Sequence, residues 1–467
     1  MSDKLKIAYM GAGSAAWAIE IIRDLIVSED LGSSQVVLHD IDKEKLEASF
    51  QLAKRYNSLV KGRLDLKMCL DPVETITDSD FVINTVLAGG HQLQETVREI
   101  SQKDGYYRGV ESREFNMVSD YSTSFANFDQ MDYTMKLQEK MTDYSKDALL
   151  INVSNPMFEL QTALYRKGKI KSVSYCEGPL HYREVAEFFK MDDSKLDFQM
   201  AGINHNLFLT RMADEQSDLY EKLDNWLKTT SEKYWTTDPY YTKFDPNMDI
   251  WTIYNKDQFS RAAMDMYKLY GLLPIADGIR SGTWKYHYNL EAKKKWYGLY
   301  GGFDSEIGWS LWLKYLNKNE DTMRNLSSDD QLLLQKIPRK MGPDPIIPLI
   351  EALTSGKKIR CHLNVKNDGN IPELPADCAV EVPVVADKHG IHPEKVHNLS
   401  ERAIKDVLIP RTTNMELALD AYFSASKDVL LDILYRDVRT RSEKQANEVL
   451  EHVLNAPGNE RARRHYR

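Results

Sequence analysis

Short, almost unbroken apolar runs alternate with amphipathic stretches over the first 200 residues. Leu5 to Met10, Gln35 to His39, Phe81 to Val86, Leu149 to Val153 and Ser172 to Tyr175 read as buried strands. Ser14 to Val27 carries a helical repeat, and a long helical region follows the third of these strands. Strands alternating with helices of ten or more residues predict a parallel sheet covered on both faces. Right-handed crossovers then give an α/β, Rossmann-type doubly wound domain over residues 1–200.

Beyond about Gly202 the pattern loosens. Trp226, Trp235, Trp251, Tyr267 and Tyr270 lie in polar surroundings and predict helices and loops bordering a cleft. Cys361 to Val365 and Val380 to Val385 read as strands around a turn-rich stretch holding Gly369, Pro372 and Pro375, and the chain turns helical again after Pro393. There is no fixed-period repeat and no low-complexity linker. Residues 201–467 are therefore expected to form a second, α+β domain packed against the first, carrying substrate, metal and oligomerisation surfaces.

Composition narrows the function. A chain of 467 residues supports two packed cores, and 42% hydrophobic with 28% charged residues is ordinary for a globular protein. A formal net charge of −9 argues against a nucleic-acid partner, which needs clustered excess Lys and Arg. Arg461, Arg463, Arg464 and Arg467 make one basic cluster, expected to be a solvated tail. Cys69, Cys176, Cys361 and Cys378 are scattered without paired spacing, as in a reducing compartment. The N-terminus runs from Met1-Ser2-Asp3-Lys4 into a strand with no signal-like segment, and no apolar run nears the roughly 20 residues of a bilayer span. A cytoplasmic protein without membrane contact is expected.

Gly11-Ala12-Gly13-Ser14-Ala15-Ala16 leaves the first strand and opens the first helix. Gly11 permits the tight turn, Gly13 lets backbone approach a pyrophosphate, and Ala16 replaces the usual third glycine. Asp40, at the end of the second strand, is placed to bind the ribose hydroxyls and to favour NAD over NADP; Asp42 is the runner-up. Gly11, Gly13, Ser14 and Asp40 are thus the cofactor-binding candidates.

Asn155-Pro156, Cys176-Glu177-Gly178 and Gly202-Ile203-Asn204-His205 together resemble glycoside hydrolase family 4, the NAD- and metal-dependent glycosidases. The resemblance runs through Gly105-Tyr106-Tyr107-Arg108-Gly109, Phe115-Asn116-Met117-Val118-Ser119-Asp120 and Ala262-Ala263-Met264-Asp265-Met266-Tyr267. It continues through Trp284-Lys285-Tyr286-His287-Tyr288-Asn289-Leu290 and Leu374-Pro375 to Glu381-Val382-Pro383, and so covers nearly the whole chain. It is most similar to the branch that cleaves α-glucosides, α-glucuronides and α-galactosides. The fold it implies is of the lactate/malate dehydrogenase-like kind, assembled as a homodimer or homotetramer. The chain departs from that branch at Glu177, where a histidine is usual and where 6-phosphoglycosidases carry Asp or Asn.

A sugar C2–H is too weak an acid for any side chain to deprotonate. Removal of hydride from C3 by NAD acidifies it, so the bond at C1 can break by elimination and be remade with water before the ketone is reduced again. The scheme needs a metal to polarise the C3 oxygen. The resemblance implies Mn2+, with Cys176 and His205 as ligands. Glu177 is the candidate acid and Asp277, in Ile275-Ala276-Asp277-Gly278-Ile279-Arg280, the candidate base, with Tyr267 and Tyr270 as rivals. Asn155, Arg280 and Asp120 are the substrate-binding candidates, and Arg280 or Arg113 could meet a uronate carboxylate. His181 and His287 are weaker candidates. The Gly89-Gly90-His91 loop lacks an arginine for a 6-phosphate, so an unphosphorylated α-hexoside is expected: a glucoside first, with galactoside, glucuronide or galacturonide open. Two other readings stand beside this one. The chain could be a plain NAD dehydrogenase of a hydroxy acid or polyol, or an inactive protein that binds sugar or nucleotide.

Overall fold

In the computed structural model the described residues are 4–110, 128–280, 284–326 and 328–467. Twelve strands share one sheet: β1 (Lys6–Met10), β2 (Gln35–His39), β3 (Asp65–Cys69), β4 (Phe81–Asn84), β5 (Leu149–Asn152), β6 (Lys171–Ser174), β7 (Asp197–Ile203), β8 (Asn206–Ala213), β9 (Leu273–Ile275), β10 (Ile359–Lys366), β11 (Ala379–Asp387) and β12 (Gly390–Pro393). The order β3-β2-β1-β4-β5-β6 is parallel throughout, the Rossmann-type doubly wound arrangement. Beyond β6 the sheet continues as β10-β11-β7-β8-β9 with antiparallel pairing, and β12 caps β11.

The parallel strands are covered on both faces, which is why they read as continuous apolar runs. Ile7 to Met10, Val82, Ile83, Leu150 and Ile151 are all fully buried. The edge strand β3 is the exception. Its side chains are largely half-buried or exposed, so Asp65-Leu66-Lys67-Met68-Cys69 carries no apolar signal and went unpredicted. Helix α1 (Ala15–Val27) follows β1 directly, and α2 (Lys43–Leu59) follows β2 with Asp42 as its N-cap.

Three expectations need correction. The stretch after Asp197 opens with a hairpin, β7 and β8, and not with helices and loops; its residues are almost entirely buried. Trp226 and Trp235 lie on helices but are buried in an aromatic core with Phe259, Tyr240 and Tyr241, and Tyr270 is buried in the main core against Phe208. The C-terminal arginines are exposed as expected, but three of them belong to a docked helix and not to a tail. The helix Glu460–His465 docks Ala462 and Tyr466 into an apolar cluster, and Arg461 pairs with Asp129 at 2.8 Å and with Asp132. Among the described residues no helix is long and apolar enough to cross a membrane.

Candidate active site

The carboxyl ends of parallel strands form the edge where open α/β sheets bind ligands, because the strand-to-helix turns expose backbone N–H groups there. β1 ends in Gly11, which has a left-handed φ of 93° and whose backbone N–H donates to His39 O at 2.9 Å. A Cβ here would lie 2.9 Å from the Val86 nitrogen. Gly13 is bound as tightly from the other side: its N–H donates to Asp40 Oδ2 at 2.8 Å, and a Cβ would fall 2.6 Å from that oxygen. Ser14 precedes α1, is exposed and makes no side-chain cap, so the first-turn donors of the helix are left to a ligand or solvent. Asp40 Oδ1 accepts from Asp42 N at 3.0 Å. Asp42 itself is spent on capping, accepting from Glu44 N and Lys45 N at 3.1 Å each. These residues fit a dinucleotide: a close-approach glycine, an uncapped helix start and a carboxylate at the second strand end.

Further along the same edge, β5 and β6 deliver Asn155 and Cys176. Asn155 joins Pro156 through a cis bond at the start of the helix Met157–Lys167, and its Oδ1 accepts from Met157 N at 3.3 Å. Beneath it runs an amide network absent from the sequence reading. Asn84 Nδ2 donates to Asn152 Oδ1 at 2.9 Å and to Ser154 Oγ at 3.2 Å, and Asn152 Nδ2 reaches Ser174 Oγ at 3.2 Å. The signal was available: β4 and β5 each end an apolar run on asparagine.

Cys176 follows β6 and is half-buried, with Gly178 N–H donating to its Sγ at 3.4 Å. His205 sits in the two-residue turn between β7 and β8, where Ile203 pairs with Asn206, and its φ of 62° is left-handed. Gly202 makes this approach feasible, since a Cβ there would lie 2.1 Å from Asn206 O. Asp277 lies in the short turn Ala276–Arg280 after β9, which is paired with β8 through Leu207 and Ile275. Three elements thereby bring Cys176, His205 and Asp277 together, with their ligand atoms within 4.8 Å of one another. His205 Nε2 is 3.4 Å from Asp277 Oδ2. A soft sulfur, an imidazole and a carboxylate at that spacing match the roughly 2.0–2.3 Å bonds of a first-row divalent ion. The donor set fits a metal.

Arg280 is buried and pairs with Asp277 on one side, while its Nε lies 2.8 Å from Asp304 Oδ2 on the other. Its guanidinium lies over two adjoining rings, 4.4 Å from the Tyr254 centroid and 4.6 Å from that of Phe303. Tyr254 Oη donates to Asp277 Oδ1 at 3.4 Å. Tyr254, Phe303 and Asp304 were missed, because segments distant in sequence supply them. Tyr267 and Tyr270, the rival bases, are engaged elsewhere: Tyr267 donates to Asp224 at 2.9 Å and Tyr270 packs edge-on against Phe208.

Glu177 is next to Cys176, and burial with the nearby Asp344 and Glu20 carboxylates pushes its carboxyl up to about 8. On β11, beside Gly202 of β7, Glu381 is interior and burial pushes it up to about 7. His181 packs at a tilt against Tyr254, 4.5 Å between centroids, and its Nδ1 lies 3.4 Å from Glu184. His287 is wholly buried, 3.2 Å from Lys293 Nζ. Asp120 and Arg113 lie outside the described residues.

The chain resembles known proteins over nearly its whole length. Residues 6–190 match the family model described as family 4 glycosyl hydrolase, and residues 200–440 match the C-terminal domain of the same family. An alpha-galactosidase of Bacillus subtilis (strain 168) is 21% identical over 455 residues, 95% of each chain. An alpha-galacturonidase of Lachnoclostridium phytofermentans is 22% identical over 474 residues, 97% of this chain and 96% of that one. The lplD protein of Bacillus subtilis superimposes with a TM-score of 0.77 at 19% identity, covering 97% of this chain and 100% of that one. A 6-phospho-alpha-glucosidase from gut microorganisms, solved in complex with NAD and Mn2+, gives 0.73 at 18% identity, covering 97% and 98%.

Proposed function

The chain belongs to family 4 of the glycoside hydrolases, and on that premise we propose that it is an α-glycosidase. It would hydrolyse an unphosphorylated α-hexoside through transient oxidation at C3 and elimination across C1 and C2. One observation carries the reading: Cys176, His205 and Asp277 converge on the sheet edge whose first two strands build the dinucleotide turn. When bound, NAD supplies a reversible hydride acceptor for one sugar carbon, and a divalent ion such as Mn2+ a Lewis acid for the oxygen on it. Gly11, Gly13, Ser14 and Asp40 would hold the first; Cys176 and His205 would hold the second.

The chain's own side chains then do the proton chemistry. Asp277 takes the proton from C2, with the Arg280 guanidinium as a fixed positive charge at its other oxygen. Glu177 gives a proton to the departing glycosidic oxygen. Asn155 holds a sugar hydroxyl, and Asp120 contacts substrate. The relatives named alpha-galactosidase and alpha-galacturonidase support an unphosphorylated hexose ring. So does Arg280, which two carboxylates already engage, leaving it poorly placed to grip a phosphate.

The test is a panel of nitrophenyl α-glucoside, α-galactoside and α-galacturonide with NAD, Mn2+ and a thiol. Nitrophenol release without net NADH accumulation is expected. Stoichiometric NADH from a simple hydroxy acid or polyol, with no nitrophenol from any glycoside, would replace the proposal by the dehydrogenase reading. Deuterium at C2 should wash out or slow turnover, and its full retention in product would rule out elimination.

A further inference from the structure

The motif Glu381-Val382-Pro383 is part of the likeness, yet no step described above uses its carboxylate. Glu381 lies in the middle of β11, with Asn364 of β10 on one side and Gly202 of β7 on the other. It is 1% exposed. A carboxylate buried inside a sheet is costly unless a positive charge or several donors compensate it. Among the described residues no Lys or Arg pairs with it. Its Oε2 accepts from Asn204 Nδ2 at 3.3 Å, and the side chain of Asn364, its partner on β10, also favours the ionised form.

Asn204 and His205 are the two residues of the β7–β8 turn, and Glu381 holds the first of them by a hydrogen bond, next to the candidate ligand. The turn needs such a hold. A left-handed φ of 62° at a histidine is an uncommon conformation that persists only where the surroundings impose it. His205 also has to present a particular nitrogen, because Nε2 is the atom that faces Asp277. Imidazole ligands are set in ring orientation and tautomer by an acceptor behind the ring, be it a carboxylate, a backbone carbonyl or water.

We propose that Glu381 is the positioning residue of the metal centre: from β11 it anchors the Asn204–His205 turn and fixes the ring of His205 toward Cys176 and Asp277. The proposal rests on the reading of Cys176 and His205 as metal ligands.

The experiment titrates Mn2+ into full-length protein and follows the loss of the free-ion electron paramagnetic resonance signal, with NAD binding and thermal melting measured in parallel. Wild type, Glu381→Gln, Asn204→Ser and His205→Asn are compared. Glu381→Gln keeps the volume and removes the charge. It is expected to weaken Mn2+ binding about 10- to 100-fold, with NAD affinity and melting unchanged and turnover recovered at high Mn2+. Asn204→Ser, which cuts the tether and leaves the strand intact, should weaken Mn2+ binding in the same direction, by less. Mn2+ binding by Glu381→Gln at wild-type affinity would overturn the proposal. So would a Glu381→Gln that melts early, combined with an Asn204→Ser that binds Mn2+ like wild type. If wild type and His205→Asn both fail to take up Mn2+, the ligand reading itself has failed, and that result is separable from the others.

Discussion

Glu177 occupies the position directly after the candidate thiolate ligand, where the resembling branch carries histidine. Burial and two neighbouring carboxylates favour its protonated form, so it differs from an ordinary surface glutamate in a way that suits an acid. A general acid matters in proportion to the basicity of the leaving group. Glu177→Gln should therefore leave cleavage of a nitrophenyl α-glycoside within about tenfold of wild type, because nitrophenolate departs without help. Cleavage of the matching methyl glycoside or disaccharide should fall about 10²- to 10⁴-fold. Steady-state kinetics on the two substrate types checks this, and an equal loss on both would assign Glu177 to binding or orientation instead of proton donation.

At the scale of elements, Asp40 and Asp42 separate two functions that the sequence left side by side. Asp42 caps α2 through Glu44 and Lys45, whereas Asp40 is held against Gly13 at the dinucleotide turn. Asp42→Ala should cost about 1 kcal/mol of stability and leave NAD affinity unchanged; Asp40→Ala should weaken NAD binding at least tenfold. Paired denaturant melts and NAD titrations of the two variants check the division. The same contrast explains what was legible beforehand. β1, β2, β4 and β5 could be read because burial on both faces makes each largely an apolar run, β6 by its place in the strand–helix alternation, and the glycine turn because its spacing is local. β3 could not, as an edge strand with a polar face, and the β7–β8 hairpin was obscured because its turn, Asn204–His205, serves the site in place of standard turn chemistry. Cys176, His205 and Asp277 were named from a resemblance, but their meeting within 4.8 Å depends on β9 pairing with β8. Tyr254 and Asp304 had no such prompt, and Glu381 was named within the likeness without a role. Each reaches the centre from a separate segment through a tertiary contact that no local periodicity encodes.

For the whole molecule, the junction between the parallel and antiparallel parts of the sheet carries a pH liability. His362 lies on β10, fully interior, stacked on Phe198 at 5.8 Å, and Met200 N lies 3.4 Å from its Nε2. Burial lowers its pKa from the ordinary 6.5 to about 3, with the Arg360 charge acting in the same direction. The folded state thus keeps the ring neutral while the unfolded chain protonates it near 6.5. The stabilisation is complete above pH 6.5 and is lost progressively as pH falls toward about 3, since the unfolded state binds the extra proton throughout that window. One proton corresponds to about 1.4 kcal/mol per pH unit. Between pH 6.5 and 5 the wild type should therefore lose about 2 kcal/mol more than His362→Gln, which has no ring to protonate. Other buried groups titrate in both proteins and cancel in that difference. Urea melts of the pair at pH 7 and pH 5 measure it, and parallel loss in the two proteins would mean that water or a counter-charge reaches His362 in the folded sheet.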